Sequence, residues 1–360
     1  TLFLTRSHQP HHIPNRTPQP ACTSNMSADA QNPEEPAKTA GEEPAKASIG
    51  RLLIPTPFVV GIATAMSYAA DLDSFPVEWG AVWTVAVVSF VIQWIAFIPA
   101  AIYDTEHYFD LTGSLTYISL TIYSFVANSA WKSIRSIVLC SMVLVWAMRL
   151  GSFLFGRIKK AGSDDRFIDI KKSKVRFFNV WSIQGLWVLL TALPVFAANA
   201  NVVARDVVPL GVLDIIGFTT WVIGFGIEVI SDKQKSWFNA DPKNKGHWID
   251  VGLWKFSRHP NYFGEMVLWL GIFLSACSTF VWGQWACAVS PVFVVLLISF
   301  ISGIPKLEAR ADVKWGGNPE YEKYKRTTSV LLILPVYADK GPLAETNGSI
   351  QEGEAPSPVV

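Results

Sequence analysis

Eight consecutive residues from Arg258 to Glu265 place a guanidinium, an imidazole, a carboxamide, a phenol and a carboxylate directly before an apolar run that begins at Met266. Ionisable groups beside hydrocarbon are costly, and where they occur they usually serve a function. Gly264 allows another group to approach closely. We call residues 258–265 the polar box and expect a polar ligand to meet a membrane-buried chamber there.

Local rules predict how the polar box folds. Pro260 stops a helix and favours an extended His259, so Asn261 could cap a helix that begins at Tyr262. The free N–H groups of such a helix start suit a phosphate or carboxylate, and Arg258 can clamp the same anion with two hydrogen bonds. The phenol of Tyr262 can donate a proton or a hydrogen bond. The alternative is that Arg258 and His259 only anchor a span at the interface.

A second polar set lies upstream. Glu228, Asp232 and Lys235 have the spacing of one helix face. Glu228 lies within an apolar stretch and needs a partner, whereas Lys235 fits a solvated helix end equally well. Arg149 interrupts another apolar run, and we expect it to pair with Glu228, Glu106 or a bound anion.

The segment from Tyr103 to Asp110 concentrates titratable side chains, including Glu106, between two predicted spans. It suggests acid–base or ligand-binding work, with an acidic interfacial turn as the alternative. The sequence has no His-Glu-x-x-His pattern, and we expect no metal site. It also has no dinucleotide or phosphate-binding glycine loop, so any nucleotide must be held by helix ends and loops.

Composition identifies the environment of the chain. Half of the 360 residues are hydrophobic and only 16% are charged, a balance typical of a polytopic membrane protein. The net charge of +1 gives no indication of a nucleic-acid partner.

The apolar runs predict an all-α, polytopic transmembrane helical bundle. A span needs about 20 apolar residues, which indicates about eight spans, with seven as the fallback because the first and third are marginal and the last two could form a tight hairpin. The predicted spans are 52–70, 80–102, 111–128, 134–156, 177–198, 208–230, 262–280 and 283–303.

Charge in the connections predicts orientation. Segment 157–176 carries eight basic residues and segment 231–261 carries six, so we expect these connections and both termini to be cytosolic. Residues 1–50 and 338–360 have the composition of disordered tails, which leaves 51–337 as a membrane domain. For a eukaryotic source, the cytosolic N-terminal tail and the lack of a recognisable signal peptide before the first span lead us to expect the endoplasmic reticulum membrane.

The polar box and its surroundings resemble the C-terminal domain of the steroid 5-alpha-reductase superfamily, and are closest to its branch of multi-span proteins. The resemblance covers roughly residues 80–335, and the polar box is its most specific part. The matching residues are Gly252, Leu253, Trp254, the run 257–265, Trp269, Gly271, Arg149, Gly151, Ser152, Phe153, Leu154, the 165–167 loop, Gln184, Glu228, Asp232, Gln234 and Lys235.

This resemblance implies an integral-membrane reductase that uses NADPH to saturate a carbon–carbon double bond in a lipophilic enone or sterol. Tyr262, Tyr103 or Glu106 would polarise or protonate the substrate. The residues expected to contact the cofactor are Arg258, His259, Asn261, Glu228, Asp232, Lys235 and Arg149.

Two other functions remain open. Isoprenylcysteine carboxyl methyltransferases and phospholipid N-methyltransferases have a similar Arg-His-Pro-x-Tyr-x-Gly box and bind S-adenosylmethionine. Glu308, Tyr321, Tyr324 and Pro335 fit the ending of that group. The resemblance of Asn261 and of the Glu228 helix favours the reductase. A non-catalytic lipid-binding membrane protein is the third possibility, since a fold does not determine a function.

Overall fold

A computed structural model describes residues 55–71, 82–161, 167–301 and 303–338. In these ranges the chain is helical apart from short connections, and the bridge between Ser257 and Ser329 is isolated from any strand. The predicted all-α bundle is confirmed. The predicted tails, apart from Ala338, lie outside the described residues, as do Asp165 and Arg166 of the predicted loop.

Ten α-helices follow one another in the described ranges. Short 3₁₀ segments connect several of them, and a π-turn over 297–301 links α8 to the connection before α9. The helices are α1 (Thr56–Asp71), α2 (Val82–Tyr103), α3 (Phe109–Ala127), α4 (Ile134–Ala161), α5 (Lys174–Ala204), α6 (Val212–Ala240), α7 (Pro260–Ala276), α8 (Val289–Leu296), α9 (Ile304–Trp315) and α10 (Pro319–Thr327).

Six helical stretches in the described residues are long and apolar enough to cross a membrane: α2, α4 as far as Gly156, α5, α6, α7 with its extension to Thr279, and the stretch 282–315. They support a multi-pass integral membrane protein. Helices α1 and α3 correspond to the two marginal predicted spans. Helix α1 has only 16 residues, and α3 buries a series of hydroxyl side chains that lower its hydropathy. The count of eight spans stays a prediction.

One end of the bundle is closed by a buried polar network. The carboxamide nitrogen of Gln284 donates to Ala70 O at 3.1 Å and to Asn201 Oδ1 at 2.8 Å. Arg135 donates to both carboxylate oxygens of Asp214, at 2.6 and 2.8 Å. The contacts of Gln284 join the ends of α1 and α5 to the 3₁₀ segment before α8, and the Arg135–Asp214 pair joins the starts of α4 and α6.

The opposite end, which we call the site end, brings together the remaining connections. Lys171 Nζ, just before α5, donates to Glu106 Oε2 at 2.5 Å in the turn between α2 and α3. The polar box and helices α9 and α10 lie at this end too. The two sets of connections alternate along the chain, as expected for helices that cross a bilayer in turn. Which end faces the cytosol stays a prediction.

Helices α6 and α7 pack at backbone contact along two glycine pairs. A Cβ atom on Gly264 would lie 2.6 Å from Gly224 O, and one on Gly271 would lie 2.6 Å from Gly217 O. Small residues allow such close packing of membrane helices. The close approach predicted at Gly264 is therefore made by α6, and it places the polar face of α6 against the start of α7.

Candidate functional site

Helix α7 begins earlier than predicted. Pro260 is its first residue and His259 is the residue before it, with φ −139°, so Pro260 starts a helix rather than stopping one. A first helical position suits proline because its fixed φ is helical and its missing N–H has no intrahelical partner there. The predicted Asn261 cap is wrong for the same reason. Asn261 lies inside α7, and its Nδ2 donates to Asp232 Oδ1 at 3.2 Å.

An extended segment after α10, residues 328–337, runs beside the start of the polar box, and we call it the strap. Arg258 N donates to Ser329 O at 2.8 Å, and Ser257 Oγ donates to Leu331 O at 2.8 Å. Leu334 N reaches Phe256 O at 3.4 Å. The strap therefore holds the backbone that presents the Arg258 side chain.

One carboxylate from α9 joins the first two residues of the polar box. Glu308 Oε2 accepts from Arg258 Nη1 at 2.5 Å, and Glu308 Oε1 pairs with His259 Nε2 at 2.7 Å. The imidazole is 5% exposed. Tyr262 stacks on it, with ring centroids 5.7 Å apart and planes within 12°. Arg258 and His259, which precede α7, thus form a single unit with Tyr262 of α7 and Glu308 of α9.

Burial determines the charge of His259. Loss of hydration lowers the pKa of the imidazole below its usual value, and this outweighs the opposing effect of the hydrogen bond and charge of Glu308. His259 is therefore neutral at pH 7.

A cavity of about 250 Å³ opens beside this unit, between the end of α6, the connection to α7, and helices α9 and α10. It is lined by four cationic side chains and, among the described residues, by the single carboxylate of Glu308. Five aromatic rings also line the cavity. The cations are Lys235, Arg258, Arg310 and Lys314, and the rings belong to Trp248, Trp254, Trp315, Tyr321 and Tyr324.

Three residues that line the cavity each have a buried polar atom without a hydrogen-bond partner in the described part of the chain. Trp248 Nε1 and Arg258 Nε are donors, and His259 Nδ1 is the third atom. A buried polar group without a partner costs about 1–3 kcal/mol. A polar ligand in the cavity could supply these hydrogen bonds.

The aromatic wall is organised by ring contacts and cations. The rings of Trp248 and Tyr321 lie 5.2 Å apart, edge to face, and Trp315 lies 5.8 Å from Tyr321. Lys235 Nζ lies 4.5 Å from the Trp254 ring centre. Burial, followed by the charge of a nearby carboxylate, raises the pKa of Tyr321 to about 12. Its phenol therefore stays neutral and able to donate.

Helix α10 reaches the cavity through a well-formed helix start. Asn318 Oδ1 accepts from Glu320 N at 2.9 Å, and Pro319 takes the first helical position. One turn further along α10, Tyr324 donates its hydroxyl to Trp254 O at 2.7 Å. The cap thereby orients the two tyrosines that line the cavity.

The polar face of α6 finds its partner on α4. The two terminal nitrogens of Arg149 pair with Glu228 Oε1 and with Asp232 Oδ2. Of the three partners expected for Arg149, the structure selects Glu228. Asn261 joins the group through Asp232. None of these four residues lines the cavity, and Lys235 alone of the α6 set does. They connect α4, α6 and the start of α7.

The other expected catalytic groups lie apart from the cavity lining. Glu106 is buried against Lys171, and Tyr103 is 76% exposed at the end of α2. Tyr262 lies beneath His259. The roles predicted for these three residues stay predictions. Among the described residues, no group of three or more His, Cys, Asp or Glu side chains is placed to hold a metal ion.

A family model described as "Protein of unknown function (DUF1295)" matches residues 96–328, more than half of the chain. The chain belongs to this family. Comparisons with curated proteins and with solved structures give no match.

The DUF1295 match includes every residue that lines the cavity. Sequence reasoning missed several of them as site residues, although the mixture of charges and aromatic rings in 306–325 predicts an amphipathic cytosolic segment that folds back over the loops. Within that segment, the sequence indicates Glu308, Tyr321 and Tyr324 only because they fit the ending of the membrane methyltransferases. The missed wall residues are Asn239, His247, Trp248, Ile249, Leu307, Arg310, Ala311, Lys314 and Trp315.

Proposed function

We propose that this DUF1295 protein is an integral-membrane reductase that uses NADPH to saturate a carbon–carbon double bond of a lipophilic, enone-like substrate. The observation that carries the proposal is the cavity at the site end. It combines four cationic side chains, five aromatic rings and three buried polar atoms without partners.

The lining chemistry fits a phosphorylated nucleotide. Arginine and lysine bind phosphate oxygens through charge-assisted hydrogen bonds, and aromatic faces can stack on an adenine ring. The cavity volume of about 250 Å³ lies below the roughly 300–1,000 Å³ of sites that enclose a whole ligand. It therefore suits one nucleotide half of NADPH, and the nicotinamide half would lie outside it.

An apolar groove near the polar box is the observation that favours a lipophilic substrate. It has a volume of about 510 Å³ and lies between α7, α8 and the strap. Phe263 and Met266 contribute from α7, and Leu331 contributes from the strap. Because the strap also binds Arg258 N, one segment touches both the groove and the polar box. A substrate in the groove would contact Phe263, the residue that follows Tyr262.

The residues of the site have separate roles in the proposed reduction. When bound, NADPH would supply a hydride to one alkene carbon, and a proton must reach the other alkene carbon. Lys235 and Arg258 bind phosphate or ribose groups. Tyr262 supplies the proton or polarises the substrate carbonyl, with Glu106 and Tyr103 as the other donors we consider. Because the basic connections lie at the site end, we expect this end to face the cytosol, at the endoplasmic reticulum membrane.

One observation favours a second candidate, a methyltransferase that uses S-adenosylmethionine. Glu308, Tyr321 and Tyr324, which fit the ending of the membrane methyltransferases, all line the cavity. The excess of positive charge weighs against it, since a sulfonium is a cation whereas NADPH carries several negative charges.

Thermal unfolding of the detergent-purified protein tests the choice of cofactor. We expect NADPH to raise the unfolding temperature of the wild type, because a ligand at a hundredfold excess over its Kd stabilises by about 2.7 kcal/mol. Lys314→Ala, in the cavity wall, should reduce the shift, whereas Lys132→Ala, exposed before α4 at the other end, should not. A response to S-adenosylmethionine alone would identify a methyltransferase, and a folded protein that responds to neither would favour a non-catalytic lipid-binding role.

A further inference from the structure

The contact between Glu308 and His259 determines which imidazole nitrogen carries the proton. At neutral pH an ionised carboxylate can only accept hydrogen bonds, and Glu308 Oε1 lies 2.7 Å from His259 Nε2. The hydrogen must therefore be on Nε2. Because burial keeps the ring neutral, the other nitrogen, Nδ1, has a free lone pair.

That lone pair has no partner in the described residues. His259 Nδ1 is buried and accepts no hydrogen bond, although its residue lines the cavity. Tyr262 covers the ring by stacking on it, so the ring cannot turn freely to expose Nδ1 elsewhere. Glu308 is in turn held by Arg258 through its second oxygen.

We propose that Glu308 is a positioning residue that holds His259 as the Nε2–H tautomer and thereby makes Nδ1 the acceptor for a hydrogen-bond donor of the bound ligand. The donor is a hydroxyl or an amide N–H, as on a ribose or a carboxamide. This inference rests on the proposed function for the identity of the ligand, but not for the tautomer.

The charged groups around His259 predict how acid affects this contact. Lys235 from α6 and Arg258 disfavour a second proton on the ring, and Glu308 from α9 favours it. Tyr262 from α7 covers the ring as a neutral phenol. Protonation would turn Nδ1 into a donor that faces the donor of the ligand. Ligand affinity should therefore fall as the pH falls through the depressed pKa of His259, which lies below the usual histidine value of about 6.5.

Nitrogen NMR of the full-length protein with labelled histidine tests the tautomer without any ligand. The chain has six histidines, and the signal of His259 is assigned by its loss in His259→Gln. The inference predicts the Nε2–H tautomer in the wild type and a mixture in Glu308→Gln, since a carboxamide can either accept from or donate to Nε2. An Nδ1–H tautomer in the wild type, or an unchanged spectrum in Glu308→Gln, overturns it.

NADPH titrations across pH test the ligand contact. Glu308→Gln should weaken binding roughly tenfold to a hundredfold and move the acid-induced loss to lower pH, because the carboxylate that favours protonation of His259 is gone. Glu308→Asp should restore part of the affinity and move the midpoint back. A loss of affinity with an unmoved midpoint means a merely structural role and overturns the positioning role. Failure of the wild type to bind NADPH would refute the proposed cofactor, while the NMR result would still decide the tautomer.

Discussion

The pairing of Arg149 with two carboxylates predicts a large loss of stability in Arg149→Met. The guanidinium binds Glu228 with one terminal nitrogen and Asp232 with the other, and the three side chains are 19%, 5% and 11% exposed. The substitution would leave two poorly hydrated carboxylates without their cation. These contacts link α4 to α6, so their loss should weaken the site end as a whole.

The expected magnitude follows from burial. Removing one partner of a buried ion pair costs about 3–5 kcal/mol, which lowers the ratio of folded to unfolded protein roughly a hundredfold to a few thousandfold. Arg149→Lys should lose about half as much, because one compact ammonium cannot hold two separate carboxylates in the same way. The triple variant with Glu228→Gln and Asp232→Asn should recover most of the loss, since the uncompensated charges are then absent.

Unfolding in mixed detergent micelles with increasing dodecyl sulfate, followed by tryptophan fluorescence, measures these differences. Lys132→Met, an exposed cation at the other end of the bundle, serves as the control and should change little. A loss below about 1 kcal/mol for Arg149→Met, the size found for exposed pairs, would refute the reasoning. So would a triple variant that is no more stable than the single one.

Three further outcomes are expected. Gly224→Ala should destabilise by about 1–3 kcal/mol, because its Cβ would lie 2.7 Å from Gly264 O, whereas Gly226→Ala on the same helix meets nothing within 4 Å and should be neutral or slightly stabilising. Equal unfolding midpoints for the two variants would contradict the close packing of α6 and α7. Acidification from about pH 7.5 to about 5.5 should destabilise the protein, because the folded-state pKa of His259 is depressed below an unfolded value of about 6.5. The stability that this shift contributes above about pH 6.5 is lost as the pH falls. The variant His259→Gln should therefore lose less stability over the same pH range. Tyr262→Phe should lower turnover roughly a hundredfold or more at unchanged folded yield. Full activity in this variant would mean that another group donates the proton.

The fold was largely predictable because long apolar runs leave few alternatives in a membrane. Each predicted span overlaps a helix within the described ranges. The boundaries were less predictable. Helix α6 continues to Ala240 rather than ending near residue 230, since polar residues at a membrane surface can continue a helix. The start of α7 was misplaced because proline both ends helices and begins them, and only the surrounding backbone decides between the two.

The candidate site was predictable only where its residues are close in sequence. The polar box and the α6 face were recognised from local spacing, and the partners of both lie far along the chain. Glu308 is 49 residues from His259, and Glu228 is 79 residues from Arg149. No local pattern places Trp248 opposite Tyr321, because that contact depends on how α10 packs back over the connection before α7.

The central claim, hydride transfer to a lipophilic substrate, is tested most directly by isotope transfer. NADPH deuterated at the transferring position of its nicotinamide is incubated with the purified protein and a panel of lipophilic enones, and the products are analysed by mass spectrometry. The reductase account predicts a saturated product that contains one deuterium, formed by Lys132→Ala as by the wild type and strongly reduced in Arg258→Ala. Products without deuterium, together with transfer of a labelled methyl group from S-adenosylmethionine to a lipid, would contradict it.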